Sequence, residues 1–305
     1  MEKDFYPCFQ IEVVTPEKIQ LDGLWFGPSH PKKAIIFVHG LASTAFKTKM
    51  ARSWVSQSTA VITFGNRGHD KIASVRKILR NRKGYKSILA GEAHEIFTDC
   101  ADDIQGVVNF VKKRGVKEIY LAGHSTGCQK ITYWASRKNN QRQVRGLILL
   151  APLSDYSIAL AFDKNNKLAR AVKFACALVK KGKKYELMPK DLWHDPLDAQ
   201  RFLSLSTPNS AEEIFSYAQP KKYPRTFKSI KLPVMAMLAE KDEYADRPAE
   251  KIADWLKNHS ASNNFRVRII PGVGHSFHGA ERIISVYVKD WVKSVNRKSA
   301  LKKRY

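Results

Sequence analysis

Glu118-Ile-Tyr-Leu-Ala-Gly-His-Ser-Thr-Gly-Cys-Gln129 is the stretch on which the fold turns. Its opening residues, 118–122, form a short apolar run of strand length. From Thr126 to about Lys138 the apolar residues take helical spacing instead. Between the two lies Gly123-His-Ser125-Thr-Gly127, a G-x-S-x-G sequence in the strand–turn–helix context that gives this motif its meaning. A serine at the tip of such a turn sits in a strained backbone conformation, and the flanking glycines let strand and helix approach closely. The spacing therefore predicts a hydroxyl presented at the edge of a sheet, near the N-terminus of the next helix.

The flanking sequence repeats this alternation. The continuous apolar run at 34–38 and the similar stretches at 60–64, 146–150, 234–238 and 265–270 read as strands buried on both faces. Helical spacing over 47–57, 94–114, 246–258 and 279–296 separates them. Strands alternating with helices of this length predict crossover units and an α/β fold: a three-layer, mainly parallel sheet. Ahead of it, alternating residues at 9–14 and 19–26 predict an antiparallel hairpin turning at Thr15-Pro16. From Pro152 to about Lys231 no sheet strand is evident. Helix-like runs at 166–181 and 198–206 stand among loops near Pro189, Pro196, Pro208 and Pro220. The chain thus divides into a core, 1–151 and 232–305, and an inserted helical cap or lid, 152–231.

A serine hydroxyl at neutral pH needs a base. His275 follows the last strand in the turn Pro271-Gly-Val-Gly-His275, as the chain order Ser…Asp…His requires, with His278 as its rival. His39 and His69 lie in turns and read as loop-holding residues. His124 packs beside the serine but points elsewhere. Asp242, in the loop after 234–238, is the acid that would orient the base. Glu243 and Asp246 stand near it, and Asp155 is the variant alternative. An acyl-transfer oxyanion requires two donors. Thr126 N–H is one. The other comes from His39-Gly40-Leu41-Ala42, with Leu41 N–H the expected donor and Ala42 the alternative. Serine at 125 excludes an aspartate-nucleophile dehalogenase or epoxide hydrolase.

Composition sets the outer bounds. No apolar run approaches the ~18 residues of a membrane span, and the N-terminus lacks the pattern of a signal peptide. Cys8, Cys100, Cys128 and Cys176 are scattered, so neither a zinc site nor a disulfide framework is expected. A cytoplasmic protein without cofactor or metal, acting on a small-molecule ester, is the expectation; nothing indicates an oligomeric state. The 53 Lys+Arg against 28 Asp+Glu give a net charge of +25. Residues 71–91, 164–190, 219–231 and 289–305 together carry +26, so the remainder is close to neutral. With no zinc finger, RNP-type motif or heptad pattern beside the charge, nucleic acid is not the expected partner. A bulky ester with an anionic portion would suit basic walls in the cap.

With these residues in view, the chain resembles the α/β-hydrolase superfamily over nearly its whole length, and Gly65-Asn-Arg-Gly-His69 is similar to a loop common in that superfamily. A narrower resemblance rests on Gly123-His-Ser-Thr-Gly-Cys-Gln129, Leu150-Ala-Pro-Leu-Ser-Asp155, Arg201-Phe-Leu-Ser-Leu-Ser-Thr-Pro208 and Asp242-Glu-Tyr244. These segments are similar to ones in a poorly characterised hydrolase family that includes esterases of fusarinine-type siderophores. The resemblance implies a Ser125–His275–Asp242 triad and serine esterase activity. Lys130 and Ala245-Asp246 depart from it, standing where that family tends to carry an acidic residue and Val-Pro. Two other readings stay open: an amidase or peptidase with the same triad, and a non-catalytic binder using the basic faces.

Overall fold

The structure, a computed structural model, describes residues 8–47, 49–79, 84–163 and 166–301. The apolar runs of the sequence form strands of one ten-stranded sheet, but the run at 265–270, expected to be buried on both faces, is an edge strand with Arg266 and Arg268 exposed. The strands of the sheet are β1 (Cys8–Val14), β2 (Ile19–Phe26), β3 (Lys33–Val38), β4 (Thr59–Phe64), β5 (Ala73–Ile78), β6 (Tyr85–Ala90), β7 (Glu118–His124), β8 (Gly146–Leu150), β9 (Val234–Ala239) and β10 (Phe265–Ile270). Along the sheet the order is β10-β9-β8-β7-β3-β4-β2, with β1 paired to β2. Strands β3, β4, β7, β8, β9 and β10 are mutually parallel, and β2 runs against β4. The predicted turn at Thr15-Pro16 closes the β1–β2 hairpin, where Thr15 C=O accepts from Lys18 N–H at 2.9 Å.

Helices cover both faces. They are α1 (Lys49–Arg52), α2 (Cys100–Lys113), α3 (Thr126–Ser136), α4 (Asp155–Ala161), α5 (Lys167–Lys180), α6 (Ala199–Ser206), α7 (Arg225–Lys228), α8 (Ala249–His259) and α9 (Glu281–Leu301). Successive side chains of a strand point to opposite faces, and β7 divides accordingly. Leu121 joins a core with Ile104 and Val108 of α2, Ile131 and Trp134 of α3 and Leu256 of α8. Tyr120 and Ala122 join a second core with Ile284, Val288 and Trp291 of α9. Two buried faces make three layers, the α/β-hydrolase arrangement.

Two expectations require correction. The spacing at 47–57 suggested a full helix, but only the single turn α1 forms there. Ser53 turns its Oγ back to Met50 C=O at 2.6 Å, and Ser56 bridges to Thr59, so the chain enters β4 early. The basic segment 71–91 carries a hairpin, β5–β6, that charge had obscured. It pairs with the N-terminal end of β2 through Arg76↔Gln20 and Lys77↔Ile19.

Residues 152–231 contain α4 to α7 and, among the described residues, no sheet strand. Their packing is of two kinds. Ala159, Leu168, Ala171, Ala175, Met188, Leu197 and Phe202 form a small core of their own. Ile214, Phe215, Tyr217, Phe227 and Ile230 pack instead into the main core beneath α3 and α8.

Candidate active site

Ser125 occupies the turn between β7 and α3 with φ 55° and ψ −129°. For a non-glycine residue this is a strained conformation costing about 1–3 kcal/mol. Its surroundings hold it there. Ser125 N–H donates to Leu150 C=O at 2.9 Å, and Ser125 C=O accepts from Cys128 N–H at 2.8 Å. The buried Cys128 thiol reaches both Gly123 C=O and Leu150 C=O at 3.2 Å. A side chain at Gly127 would collide with Val38 C=O, and one at Gly123 with Gly127 C=O. The two motif glycines are therefore required by close backbone approach.

Gly40 packs against the serine from the end of β3. A Cβ there would stand 2.8 Å from Ser125 Cβ and 3.3 Å from Ser125 Oγ. The neighbouring His39 fixes this loop. Its Nδ1–H donates to Gly40 C=O at 2.8 Å, and its Nε2 accepts from Asn66 N–H at 3.3 Å. Burial, reinforced by the Lys130 cation, lowers its pKa to about 3, so the ring stays neutral as both bonds require. Leu41 follows directly, while Thr126 N–H is the first amide of α3, an end where helical amides lack intrahelical partners.

The other two candidates meet across neighbouring loops. His275 Nδ1 lies 2.8 and 3.0 Å from the two oxygens of Asp242. Nδ1–H therefore donates to the carboxylate and Nε2 is left with its lone pair. The surroundings fix the pair. Glu243 accepts from His275 N–H at 2.8 Å, and Asp242 also accepts from Tyr244 N–H at 3.0 Å. The Tyr244 ring stands edge-on to the imidazole at 4.9 Å. Phe277, buried with φ 54°, anchors the far side of the turn. His124 Nε2–H donates to His275 C=O at 2.9 Å, tying the histidine loop to the residue before Ser125. Burial and the adjacent His275 ring lower the His124 pKa to about 4, keeping it a neutral donor.

The rivals lie elsewhere. His278 is exposed. Asp155 is buried and accepts from Gln129 Nε2 at 2.8 Å, away from the imidazole. Burial, with Glu212 and Glu213 nearby, raises its pKa well above the usual carboxylate range. Asp246 pairs with Arg247 at 2.7 Å.

Sequence reasoning missed a buried ionic chain beneath the site. Lys130 Nζ lies 2.6 Å from Glu95 and donates to Asn66 Oδ1 at 3.0 Å. Arg201 of α6 forms an ion pair with Glu95 at 2.9 Å and forks hydrogen bonds onto Glu212. Burial pushes the Glu95 pKa up, but the Lys130 and Arg201 cations outweigh it and hold the carboxyl below its usual value. Alongside, Asp198 caps α6 at Arg201 N–H and accepts from His94 at 2.9 Å. The path His39–Asn66–Lys130–Glu95–Arg201 thus joins the loop at Gly40 to the inserted segment. Asp155 and Arg201 carried the sequence resemblance and Lys130 departed from it, and all three have interior surroundings. The one available signal was a lysine inside the apolar pattern of α3. Among the described residues no cluster of ligating side chains suited to a metal ion occurs, and no helix is long and apolar enough to cross a membrane.

Residues 96–295 match the family described as a protein of unknown function, DUF1749. Over 160 residues the chain is 26% identical to a Mycoplasma genitalium protein named "Putative esterase/lipase 3". That alignment takes in 51% of this chain and 55% of the relative, so the chain spans about half the length of the curated relative it matches. Similar solved structures include an esterase of Pyrococcus furiosus, 16% identical, covering 95% of this chain and 91% of that one, with a TM-score of 0.59. Est1E from Butyrivibrio proteoclasticus, with ferulic acid bound, is 18% identical over 93% of this chain and 99% of its own, TM-score 0.62. The α/β hydrolase GrgF from a Penicillium species is 19% identical over 94% and 98%, TM-score 0.62. At these identities the likeness establishes the α/β-hydrolase fold.

Proposed function

The chain belongs to the DUF1749 family, and from that premise we propose that it is a serine hydrolase cleaving a carboxylic ester through an acyl-enzyme intermediate. The observation that carries this reading is the strained Ser125 at the end of β7, beside loops in which Asp242 holds His275 Nδ1. Ser125 Oγ attacks the ester carbonyl while His275 Nε2 takes its proton. Asp242 keeps the tautomer fixed and stabilises the imidazolium. The Leu41 and Thr126 amides receive the oxyanion, each such donor contributing about 3–4 kcal/mol of transition-state stabilisation. The imidazolium then protonates the departing alcohol. Water, deprotonated by the same Nε2, attacks the acyl-serine and releases the acid.

The esterase-named Mycoplasma relative and the esterase from Pyrococcus furiosus support an ester over an amide. In this reading α4 to α6 of the inserted segment form a lid above the site, tethered by the Arg201 ion pairs, and its basic surroundings favour a bulky ester with an anionic portion. A fusarinine-type siderophore ester is the named candidate. The test is turnover of p-nitrophenyl esters of graded acyl length, alongside the p-nitroanilides and a hydroxamate siderophore ester. Ester hydrolysis that disappears in Ser125→Ala supports the reading. Anilide cleavage at comparable kcat/KM would move it to an amidase.

A further inference from the structure

The inserted segment carries a surface that the chemistry at Ser125 does not use. The burial pattern of α5 is one-sided: Leu168, Ala171 and Ala175 face the small core, whereas Arg170, Lys173, Phe174, Lys180 and Lys181 face outward. Phe174, 38% exposed, stands among the cations on the outer face. Leu160 and Phe162 at the end of α4, and Tyr185 and Leu187 beyond α5, are 44–50% exposed. Among the described residues, six of the seventeen exposed large apolar side chains fall within 160–187. Scattered single residues of this kind are ordinary, but such a concentration is not. The charge is unanswered as well. Glu186 is the sole acid in 164–190 and pairs with Lys183 at 2.7 Å. Among the described residues no carboxylate lies in ion-pair reach of Arg170, Lys173, Lys180 or Lys181.

We propose that the outer face of α5, with the apolar side chains flanking it, docks the protein on an anionic lipid surface. The mixture of residues selects that occupant. Cations alone would serve a nucleic-acid backbone, but Leu160, Leu187 and Val179 offer nothing to a phosphate or a stacked base. Lys and Arg beside Phe174 on one helix face, with Leu160 and Leu187 flanking the helix, fit a bilayer interface, where apolar groups enter the acyl boundary and cations meet lipid phosphates. The hairpin β5–β6 adds a second cationic element with exposed apolar side chains, including Lys77, Lys86, Tyr85 and Leu89. It reaches the inserted segment through Glu92–His94, where Ala93 C=O accepts from Asp198 N–H at 2.8 Å.

Co-sedimentation of the full chain with vesicles tests this directly. The protein should pellet with phosphatidylcholine vesicles containing phosphatidylserine and not with phosphatidylcholine alone, and 0.5 M salt should weaken binding. Each cation near an anionic surface is worth roughly a fivefold change in partition. The combined variant Arg170→Gln, Lys173→Gln, Lys181→Gln should therefore bind about a hundredfold more weakly, and Phe174→Ser severalfold. Ser125→Ala should pellet like wild type, so the result is independent of catalysis. No pelleting with anionic vesicles, equal pelleting with neutral ones, or an undiminished triple variant would overturn the proposal. RNA binding lost in the triple variant, without vesicle binding, would reassign the surface.

Discussion

Replacing Gly40 with alanine probes the contact between the loop after β3 and the serine. The new methyl would stand 2.8 Å from Ser125 Cβ and 3.0 Å from His124 C=O, against the 3.5–4.0 Å of an ordinary carbon contact. Something must move by about 1 Å. Ser125 is the stiffer partner, because the Leu150 bond, the Cys128 thiol and the abutment of Gly127 on Val38 all fix its turn. The loop His39–Ala42 must therefore yield, taking the Leu41 amide away from the oxyanion position. Loss of one such donor lowers kcat by about 10²–10³, and displacements of this size carry a comparable penalty. Overpacking costs about 1–3 kcal/mol of stability, a Tm decrease of a few degrees. Steady-state kinetics on a p-nitrophenyl ester should show the fall mainly in kcat, in a protein that still unfolds cooperatively. Activity within threefold of wild type would refute the assignment of Gly40–Leu41 to the oxyanion site.

Other perturbations separate the carboxylates. Asp242→Asn preserves shape but turns the wrong His275 tautomer toward the serine, so kcat should fall by about 10⁴; a loss under tenfold would mean another group orients the base. Asp155→Asn should leave turnover unchanged. Because the folded state raises the Asp155 pKa, the contribution of this carboxyl to stability is fully present below the unfolded value near 4 and is lost as pH rises above it. The Tm of Asp155→Asn relative to wild type should therefore climb from pH 4 upward, whereas a constant difference would contradict a buried, protonated carboxyl. Arg201→Met leaves Glu95 and Glu212 buried without that cation and should cost about 3–5 kcal/mol in chemical denaturation; a cost under 1 kcal/mol would show that the ionic chain does not tether α6.

The sequence was most legible where geometry permits few residue types. Gly123 and Gly127 meet backbone at distances that admit no side chain, so the turn at Ser125 leaves a mark in one dimension. The Asp242 loop was readable because it follows β9, a strand with two buried faces, and the His275 loop because it follows the last strand, β10, and leads into the final helix. The β5–β6 hairpin was not readable. Its strands hold Arg76, Lys77 and Lys86 on exposed faces, so no apolar alternation survives, and β2 supplies the order that propensity does not. The ionic chain was hidden for a different reason. Lys130, Glu95 and Arg201 lie far apart along the chain, and charged residues read locally as solvated surface. Their neutralisation by one another is a tertiary fact. Glu243, Phe277 and His124 support His275 by contacts that spacing could not supply.

The central claim is that Ser125 is an activated nucleophile, and covalent labelling measures this without knowledge of the substrate. Incubation of the folded protein with a fluorophosphonate should add one phosphonyl group, found by peptide mass analysis on Ser125. Ser125→Ala should remain unmodified, and His275→Ala should react far more slowly. A folded wild-type protein that stays unlabelled, or one labelled elsewhere, would contradict the account.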